Sequence, residues 1–296
     1  MKIVLLGKNG QVGWELQRSL SYLGQVIALD VDSVEGCGDF TQPENLVATL
    51  HAMQPDVIVN AAAHTAVDKA ESETELAFQI NAHTVESIAK AAQQLDCWLV
   101  HYSTDYVFDG SGTSPWMEED TPAPLNVYGE SKLAGEQAIQ RHCSKYLIFR
   151  TSWVYSARGH NFARTMLRLA QNHARLTVIN DQYGAPTSAE LLADCTAHAI
   201  NVAFKQPQVA GLYHLVASGE TTWYHYAQFV FTFAQQHGIN LQVTEVEPVD
   251  SSAYPTPAQR PHNSRLATEK FTATFGYQLP DWQHGVQRML HEITEK

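Results

Sequence analysis

The chain has 296 residues, of which 44% are hydrophobic, and its formal net charge is −12 with histidine counted as neutral. This length allows one large domain, or a domain with a smaller companion, and the hydrophobic content is sufficient for a proper core. The acidic balance argues against binding to nucleic acid or to an anionic membrane surface. Any anionic ligand must therefore be held by backbone N–H groups and a few well-placed arginines or lysines.

The four cysteines are scattered along the chain and form neither a C-x-x-C pair nor a metal-ligand spacing. Such cysteines predict free thiols in a reducing compartment. The apolar run at the amino end is broken at Gly7 and is too short for a signal peptide. No stretch is long and apolar enough to span a membrane. We therefore predict a cytoplasmic protein.

The first predicted element is an apolar strand over residues 3–6, followed by a glycine-rich turn and a helical pattern that runs to residue 20. This context is the one in which a dinucleotide-binding fingerprint operates, because glycine lets the backbone approach a pyrophosphate at a helix N-terminus. The glycines Gly7, Gly10 and Gly13 have the spacing G-x-x-G-x-x-G rather than G-x-G-x-x-G. A glycine triplet alone is often only a turn, but the flanking strand and helix favour cofactor binding.

The second predicted strand, residues 25–30, ends in Asp30, 20 residues after Gly10. A carboxylate at this place can accept hydrogen bonds from an adenosine ribose and repels a 2′-phosphate, although it can also simply cap the next turn. No arginine or lysine lies between Asp30 and Lys69, and Lys8 is the nearby cation that would tolerate a 2′-phosphate. The pattern favours NADH and leaves NADPH open.

Strand and helix patterns alternate along the chain and predict an α/β fold with a Rossmann-type doubly wound parallel sheet. Further strands are predicted over residues 56–60, 98–102, 146–155, 176–180 and 211–216. Helices are predicted over residues 43–53, 73–95, 128–141, 162–171, 190–204, 223–236 and 282–293. We predict a dinucleotide-binding domain over residues 1–155, to which later segments can return. A smaller C-terminal α/β substrate-binding lobe is predicted mainly over residues 156–296.

Polar side chains arrive where the strand over residues 98–102 ends, and Thr104 is among them. Tyr128 and Lys132 lie four residues apart, on one face of the next predicted helix. The three side chains together can move a proton to or from a carbonyl or alcohol oxygen. A free tyrosine has a pKa of about 10, so we predict that Lys132 lowers the pKa of Tyr128. A Y-x-x-x-K pair alone is weak evidence, because most such pairs lie on a solvated helix surface.

The glycine turn, Thr104, Tyr128 and Lys132 occur in an order that resembles the extended short-chain dehydrogenase/reductase superfamily. More narrowly, the chain resembles the dTDP-4-dehydrorhamnose reductase family from its start to about residue 282. The segments that carry this resemblance are NAAAHTAVDKAE (60–71), STDYVFDG (103–110), PLNVYG (124–129), RTSWVY (150–155), DQYGAPT (181–187) and RP-x-NSRL (260–266). The resemblance implies reduction of the 4-keto group of dTDP-4-dehydro-L-rhamnose by NADH or NADPH. The product would be dTDP-L-rhamnose, made in the last step of its biosynthesis for surface polysaccharide and O-antigen.

The resemblance also implies residue roles. Tyr128 would donate the proton, Lys132 would bind the nicotinamide ribose and tune the tyrosine, and Thr104 would position the substrate oxygen. Cofactor contacts are implied at Gly7, Gly10, Gln11, Val12, Asp30, Asp39, Phe40, Ala62, Ala63, Thr65, Tyr128 and Lys132. Substrate contacts are implied at Thr104, Asp105, Trp153, Arg260, Asn263 and Ser264, the last three for the nucleotide diphosphate. A core aromatic remains the alternative for Trp153, and a solvated loop remains the alternative for residues 260–264.

Other functions remain open at this stage. Related 4,6-dehydratases carry an Asp-Glu pair after the threonine, whereas Tyr106 follows Asp105 here, so dehydration lacks its expected base. The alternatives are another sugar-nucleotide 4-reductase, a 4-epimerase, or a non-catalytic NAD(P)-binding regulatory subunit. The intact set of Thr104, Tyr128 and Lys132 favours an enzyme.

Some members of the family are described as magnesium-bridged homodimers, so the resemblance also implies a homodimer and a structural Mg²⁺. Glu15, Glu190 and Asp194 would supply the oxygen ligands of such a hard cation. A solvated acidic face is the alternative that the sequence favours.

Overall fold

The strands and helices of this computed structural model, which describes residues 1–294, follow the predicted alternation. Its strands are β1 (Lys2–Leu6), β2 (Gln25–Leu29), β3 (Val57–Asn60), β4 (Trp98–Thr104), β5 (Tyr146–Thr151), β6 (Val154–Tyr155), β7 (Arg175–Ile179), β8 (Tyr183–Gly184), β9 (Thr187–Ser188), β10 (Gly211–His214), β11 (Thr221–Thr222) and β12 (Glu245–Val249). Its α-helices are α1 (Gln11–Leu20), α2 (Pro43–Met53), α3 (Val67–Ala70), α4 (Thr74–Phe78), α5 (Thr84–Gln94), α6 (Val127–His142), α7 (Phe162–Ala170), α8 (Ala189–Lys205), α9 (Trp223–Gln236), α10 (Glu269–Phe275) and α11 (Trp282–Thr294).

Six parallel strands form the central sheet in the order β10-β5-β4-β3-β1-β2. The chain winds outward from β1 in both directions, so the strand order reverses between β1 and β3. In open α/β sheets, ligands bind outside the carboxyl ends of the strands at such a reversal. The predicted doubly wound parallel sheet is confirmed, and its topology marks where a ligand site should lie.

Apolar cores cover both faces of the sheet, because the strands are apolar at successive positions. In β1, Ile3 and Leu5 face one core, whereas Val4 and Leu6 face the other. Helices α1, α8, α9 and α11 close the first core, and α2, α5 and α6 close the second. The faces of the sheet are therefore filled, and its carboxyl edge is left for polar side chains.

The helix predicted over residues 73–95 is divided into α4, a π-helical turn over Gln79–His83, and α5. Such turns recur at functional sites. Asn81 lies in this turn, where its side chain accepts from His64 N at 2.9 Å and donates to Ser131 Oγ at 3.0 Å. The turn thereby ties the loop after β3 to α6. Hydrophobic periodicity does not distinguish a π turn, so the sequence missed it.

The strand predicted over residues 146–155 is also divided, because Trp153 adopts a φ of +48° between β5 and β6. Side chains other than glycine seldom take this conformation. The indole of Trp153 stacks on Trp223 with 3.6 Å between ring centroids. The sequence also missed α3, α10 and β12. Pro248 lies within β12, which pairs with β7 outside the central sheet.

Residues beyond 155 contribute both to the central sheet and to the layers around it. β10 pairs with β5 at the edge of the sheet, and α8 packs into the same core as α1. The short pairs β7–β12, β8–β11 and β6–β9 lie outside the central sheet. The boundary near residue 155 and a separate substrate-binding lobe stay predictions.

The four cysteine side chains are unpaired thiols, as predicted. Burial raises the pKa of Cys97 and of Cys195 to about 12, so these two thiols are unreactive at neutral pH. Among the helices of residues 1–294, none has the length and apolar character needed to cross a membrane.

Candidate active site

A cleft of about 690 Å³ lies at the carboxyl edge of the sheet, and each strand from β1 to β5 ends in it. Its size is typical of a small-molecule site. The predicted site residues that line it are Gly7, Gly10, Gln11, Val12, Asp30, Ala62, Ala63, Thr65, Thr104, Asp105, Tyr128, Lys132 and Trp153. Other predicted residues lie outside this lining, namely Asp39, Phe40, Arg260, Asn263 and Ser264.

The glycine turn forms one end of the cleft. Gly7 has a φ of +87°, and a Cβ there would lie 2.7 Å from Ala62 N. A Cβ on Gly13 would lie 1.9 Å from Gly7 O, so the turn can close this tightly only with glycine. The residue before α1 is Gly10, which has no side chain to cap the helix, and the first turn of α1 lines the cleft. The N–H groups of this turn are therefore available to a ligand. This arrangement suits a pyrophosphate.

Asp30 lies at the end of β2, as predicted, and its carboxylate accepts from Asn9 N at 3.0 Å and Val31 N at 2.8 Å. Lys8 lies close to the same strand end and donates to Ser33 Oγ at 2.8 Å. A carboxylate that can bind a ribose and a lysine that can approach a phosphate therefore occupy one region. This region is compatible with either NADH or NADPH.

Three hydroxyls in the cleft wall, those of Ser103, Thr151 and Ser152, are buried. They have no hydrogen-bond partner within residues 1–294. Buried polar atoms without partners are rare in folded proteins, so these hydroxyls indicate a polar ligand. Together with the glycine turn, they fit a dinucleotide that extends along the sheet edge.

Tyr128 and Lys132 lie one turn apart at the start of α6. Asn126 precedes this helix, and its side chain caps it by accepting from Gly129 N at 2.8 Å. A Cβ on Gly129 would lie 2.2 Å from Tyr106 O, so this first turn packs directly on the segment that follows β4. The helix cap and the close packing therefore place Tyr128 against the end of β4.

Thr104 completes the predicted set. It ends β4, and its hydroxyl lies close enough to Tyr128 to lower the pKa of that phenol. The same hydroxyl donates to Asp105 Oδ1 at 3.1 Å. The structure therefore brings Thr104, Tyr128 and Lys132 together around one end of the cleft, as the sequence predicted.

The pKa of Tyr128 differs from the prediction. Burial raises it to about 12, the hydroxyl of Thr104 lowers it in part, and the charge of Asp105 raises it further. The prediction that Lys132 lowers this pKa below that of a free tyrosine is wrong for the chain by itself, because burial dominates. Tyr128 is therefore protonated at neutral pH, which suits a proton donor.

Lys132 is 2% exposed, and its Nζ donates to Tyr102 O at 2.6 Å and lies 3.2 Å from His101 Nε2. Burial lowers its pKa to about 8, and the charge of Glu136 raises it in part. Glu136 is itself bound by Arg150 through two bonds of 2.9 and 2.7 Å. The sequence motifs did not indicate His101. The available signal was one ionisable side chain in the otherwise apolar first part of β4.

Asp105 is a buried carboxyl group beside this set. Burial raises its pKa to about 6, whereas the hydroxyls of Ser264 and Thr104 lower it in part. The native chain therefore binds a proton more tightly than the unfolded chain between about pH 4 and 6, and its stability falls as the pH rises through that window. At neutral pH, the charge on Asp105 opposes folding.

We therefore expect Asp105→Asn to raise the melting temperature at about pH 7.5 and to give a smaller gain at about pH 4. Thermal unfolding of both proteins at both pH values measures this. Asp109→Asn is the matched control, because the Ser111 N–H lowers the pKa of Asp109 and its charge favours folding. An equal gain for Asp105→Asn at both pH values would contradict the expectation.

The predicted diphosphate contacts have other partners in this structure. Arg260 pairs with Asp68 at 2.7 Å. The side chain of Asn263 donates to Ser114 O at 2.8 Å and so joins the loop that contains Asn263 to the loop that contains Ser114. Ser264 contacts the carboxyl group of Asp105. None of these contacts could be read from the sequence, because each joins segments far apart in the chain.

Two predicted cofactor contacts have local structural partners. Asp39 accepts from the side chains of Thr41 and Gln42, each at 2.7 Å, just before α2. Phe40 is 6% exposed and packs in the core beneath α2 and α5. The structure does not bring these two side chains to the lining of the cleft.

The predicted magnesium ligands lie on two packed helices, Glu15 on α1 and Glu190 and Asp194 on α8. Arg288 pairs with Glu190 at 3.0 Å, and Arg18 pairs with Asp194 at 3.0 Å. Within residues 1–294, no group of three or more histidine, cysteine or acidic side chains is placed to hold a metal ion. One chain by itself therefore does not form the predicted site, and arginines already balance two of its carboxylates.

Comparison with known proteins establishes the family. The model described as the RmlD substrate binding domain matches residues 1–295. The dTDP-4-dehydrorhamnose reductase of Escherichia coli K12 is 64% identical over 293 residues, which cover 99% of this chain and 98% of that protein. The chain belongs to the dTDP-4-dehydrorhamnose reductase family. The family member from Burkholderia thailandensis is 45% identical over 299 residues, covering 99% of both chains.

Solved structures of the family agree with this fold. The dTDP-4-dehydrorhamnose reductase of Clostridium acetobutylicum superposes with a TM-score of 0.89 at 34% identity, covering 99% of both chains. The enzyme from Bacillus anthracis, solved in complex with NADP, superposes with a TM-score of 0.87 at 33% identity, covering 98% of this chain and 99% of that one. The sequence-based family prediction is confirmed.

Proposed function

We propose that this chain reduces the 4-keto group of dTDP-4-dehydro-L-rhamnose to give dTDP-L-rhamnose, with NADH or NADPH as the reductant. Membership of the reductase family over the whole chain supports this activity. The observation that carries it is the pair of Thr104 and Tyr128 in one cleft wall, with Lys132 one turn further along α6. This pair lies in the same cleft as the glycine turn.

The residues have the following proposed roles. When bound, the nicotinamide cofactor supplies the hydride that C4 of the sugar accepts. Tyr128 donates the proton that the 4-oxygen needs, so the ketone becomes an alcohol and the tyrosine is left as a phenolate. Thr104 orients the same oxygen through its hydroxyl. The ammonium of Lys132 stabilises the phenolate by its charge.

We propose that the cofactor and the sugar bind at different ends of the cleft. We propose that the glycine turn and the start of α1 hold the pyrophosphate of the cofactor, and that Asp30 binds the adenosine ribose. Asp105 and Trp153 are proposed to contact the sugar at the other end, where both line the cleft. Arg260 is proposed to bind the diphosphate of the substrate, which requires it to exchange its ion pair with Asp68 for the phosphate.

The deciding experiment is the consumption of NADH with dTDP-4-dehydro-L-rhamnose, run in parallel with NADPH and with the corresponding UDP sugar. We expect turnover that requires added reductant and yields dTDP-L-rhamnose. An altered sugar without net consumption of reductant would indicate an epimerase. An unchanged sugar with no consumption would indicate a regulatory subunit.

We also propose that the chain forms a homodimer, since α1 exposes 48% of Trp14, and Tyr22 just beyond it is 69% exposed. The mass of the full chain by light scattering should be that of two chains.

The bound magnesium ion stays a prediction. The same light-scattering measurement, repeated in the presence of EDTA, tests it. A mass that falls in EDTA and returns with MgCl₂ would place the ion between chains. A two-chain mass that EDTA does not change would show that the dimer needs no metal, and a one-chain mass in both conditions would contradict the homodimer.

A location in the cytoplasm remains a prediction from the unpaired thiols.

A further inference from the structure

A buried series of hydrogen bonds connects the loop after β3 to the catalytic lysine. Asn60, His101 and Lys132 are 1%, 0% and 2% exposed. Ala62 N donates to Asn60 Oδ1 at 3.0 Å, and Asn60 Nδ2 lies 3.0 Å from His101 Nδ1. His101 Nε2 then lies 3.2 Å from Lys132 Nζ, which donates to Tyr102 O at 2.6 Å. The family motifs that identified the site do not include His101.

The backbone N–H of Ala62 sets the direction of this series. An N–H can only donate, so the side chain of Asn60 must present its oxygen to Ala62 and its NH₂ group to His101. His101 Nδ1 then accepts this bond and carries no proton. A neutral imidazole holds its one proton on the other nitrogen, so His101 presents Nε2–H to Lys132.

The contact between His101 and Lys132 is therefore sensitive to charge. A lysine ammonium has three donors and no acceptor, so against Nε2–H it makes a contact between two donors. A neutral amine offers a lone pair and turns the same contact into a hydrogen bond. The contact at 3.2 Å becomes a hydrogen bond only when Lys132 is an amine, so it makes the ammonium easier to deprotonate.

The neighbouring charges offset this effect only in part. Glu136, one turn along α6, is the acid whose charge favours the ammonium, but both its oxygens bind Arg150 of β5. Asp105, after β4, interacts with Thr104 and Tyr128 instead. The ionisable groups that surround Lys132 on β4, β5 and α6 are His101, Asp105, Tyr128, Glu136 and Arg150.

We propose that His101 is a positioning residue which, held by Asn60 as the Nε2–H tautomer, favours the neutral amine form of Lys132. Burial lowers the pKa of Lys132 to about 8 and holds the pKa of His101 well below its ordinary value, so burial favours the neutral form of both groups as well. The consequence for catalysis rests on the proposed reductase function. Each reduction leaves a phenolate on Tyr128, and a lysine that releases its proton easily is a better source for restoring it.

The tautomer can be measured without turnover. The full chain labelled with ¹⁵N-histidine would be studied by two-dimensional NMR, and the signal of His101 would be assigned by its loss in His101→Gln. We expect the shifts of a neutral ring protonated on Nε2. A ring protonated on Nδ1, or on both nitrogens at neutral pH, would overturn the proposal whether or not the chain is a reductase.

A single substitution should reverse the direction of the hydrogen bonds that His101 makes in this series. In Asn60→Asp, one carboxylate oxygen accepts from Ala62 N–H and the other from His101 Nδ1–H, so Nε2 becomes an acceptor that favours the Lys132 ammonium. The alkaline limb of the kcat/KM profile should then move up by roughly one pH unit. Because the new carboxylate also raises the pKa of Lys132 by its charge, the shift is assigned to the tautomer only if the uncharged variant His101→Gln moves the limb as well.

Two further variants keep the test decisive. If Asn60→Asp does not fold, His101→Gln replaces it, because a glutamine amide can turn its oxygen toward Lys132 and should also move the limb upward. His214→Gln is the matched control, since His214 is a buried neutral histidine whose Nδ1 bonds Trp116 O away from Lys132. An unmoved limb in the first two variants, or an equal shift in the control, would overturn the proposal.

Discussion

Tyr128→Phe is expected to lower kcat by about 100-fold or more, because a positioned proton donor commonly contributes a factor of 10² to 10⁴. The phenylalanine keeps the ring that packs on Tyr106 with 5.5 Å between centroids, so the shape of the cleft should be preserved. Loss of NADH absorbance measures kcat, and fluorescence titration measures the dissociation constant of NADH. The dissociation constant should stay close to that of the wild type.

Tyr146→Phe is the control for this variant, because Tyr146 begins β5 at the opposite end of the sheet from the cleft. It should retain the turnover of the wild type. Wild-type turnover in Tyr128→Phe would show that another group donates the proton. A large loss in both variants would show that the effect is not specific to the cleft.

Arg150→Met is expected to lower the free energy of unfolding by about 3–5 kcal/mol, the usual effect of removing one partner of a buried ion pair. The side chains of Arg150 and Glu136 are only 4% and 1% exposed, so Glu136 would be left as an unpaired charge. Urea unfolding measures the change. The loss of the Arg150 charge should also raise the pKa of Lys132, because the negative charge of Glu136, which already raises this pKa in part, would no longer be balanced.

Two controls separate the charge effect from a loss of packing. The double variant Arg150→Met/Glu136→Leu removes both charges and should recover much of the lost stability. Arg175→Met breaks an exposed pair with Glu247 and should change stability little. A double variant no more stable than Arg150→Met would show that packing, rather than the unpaired carboxylate, causes the loss.

The sheet and the catalytic set were predictable because each depends on neighbours in sequence. Apolar strands in alternation with helices predict a doubly wound sheet, and its carboxyl edge follows from the parallel order. Tyr128 and Lys132 share a helix face by spacing alone, and Thr104 follows a buried strand. The helix at Pro43–Met53 was predicted with the bounds observed, since Pro43 marks its first turn.

Other features could not be predicted, because distant segments set the environment of the side chain. Burial raises the pKa of Tyr128, and the spacing of residues along the chain carries no information about burial. Phe40 lies in the core rather than in the cleft lining. The π turn that places Asn81 is invisible to hydrophobic periodicity.

The sequence by itself therefore determined the fold class, the family, and the three residues that we propose for proton transfer. These features depend on local spacing, turn chemistry and motifs that can be read along the chain. Only the tertiary structure decided the surroundings of these groups, because it places Asn60 against His101 and His101 against Lys132, and it buries Tyr128. Hydrogen-bond direction and desolvation arise from contacts between strands and helices that are far apart in sequence.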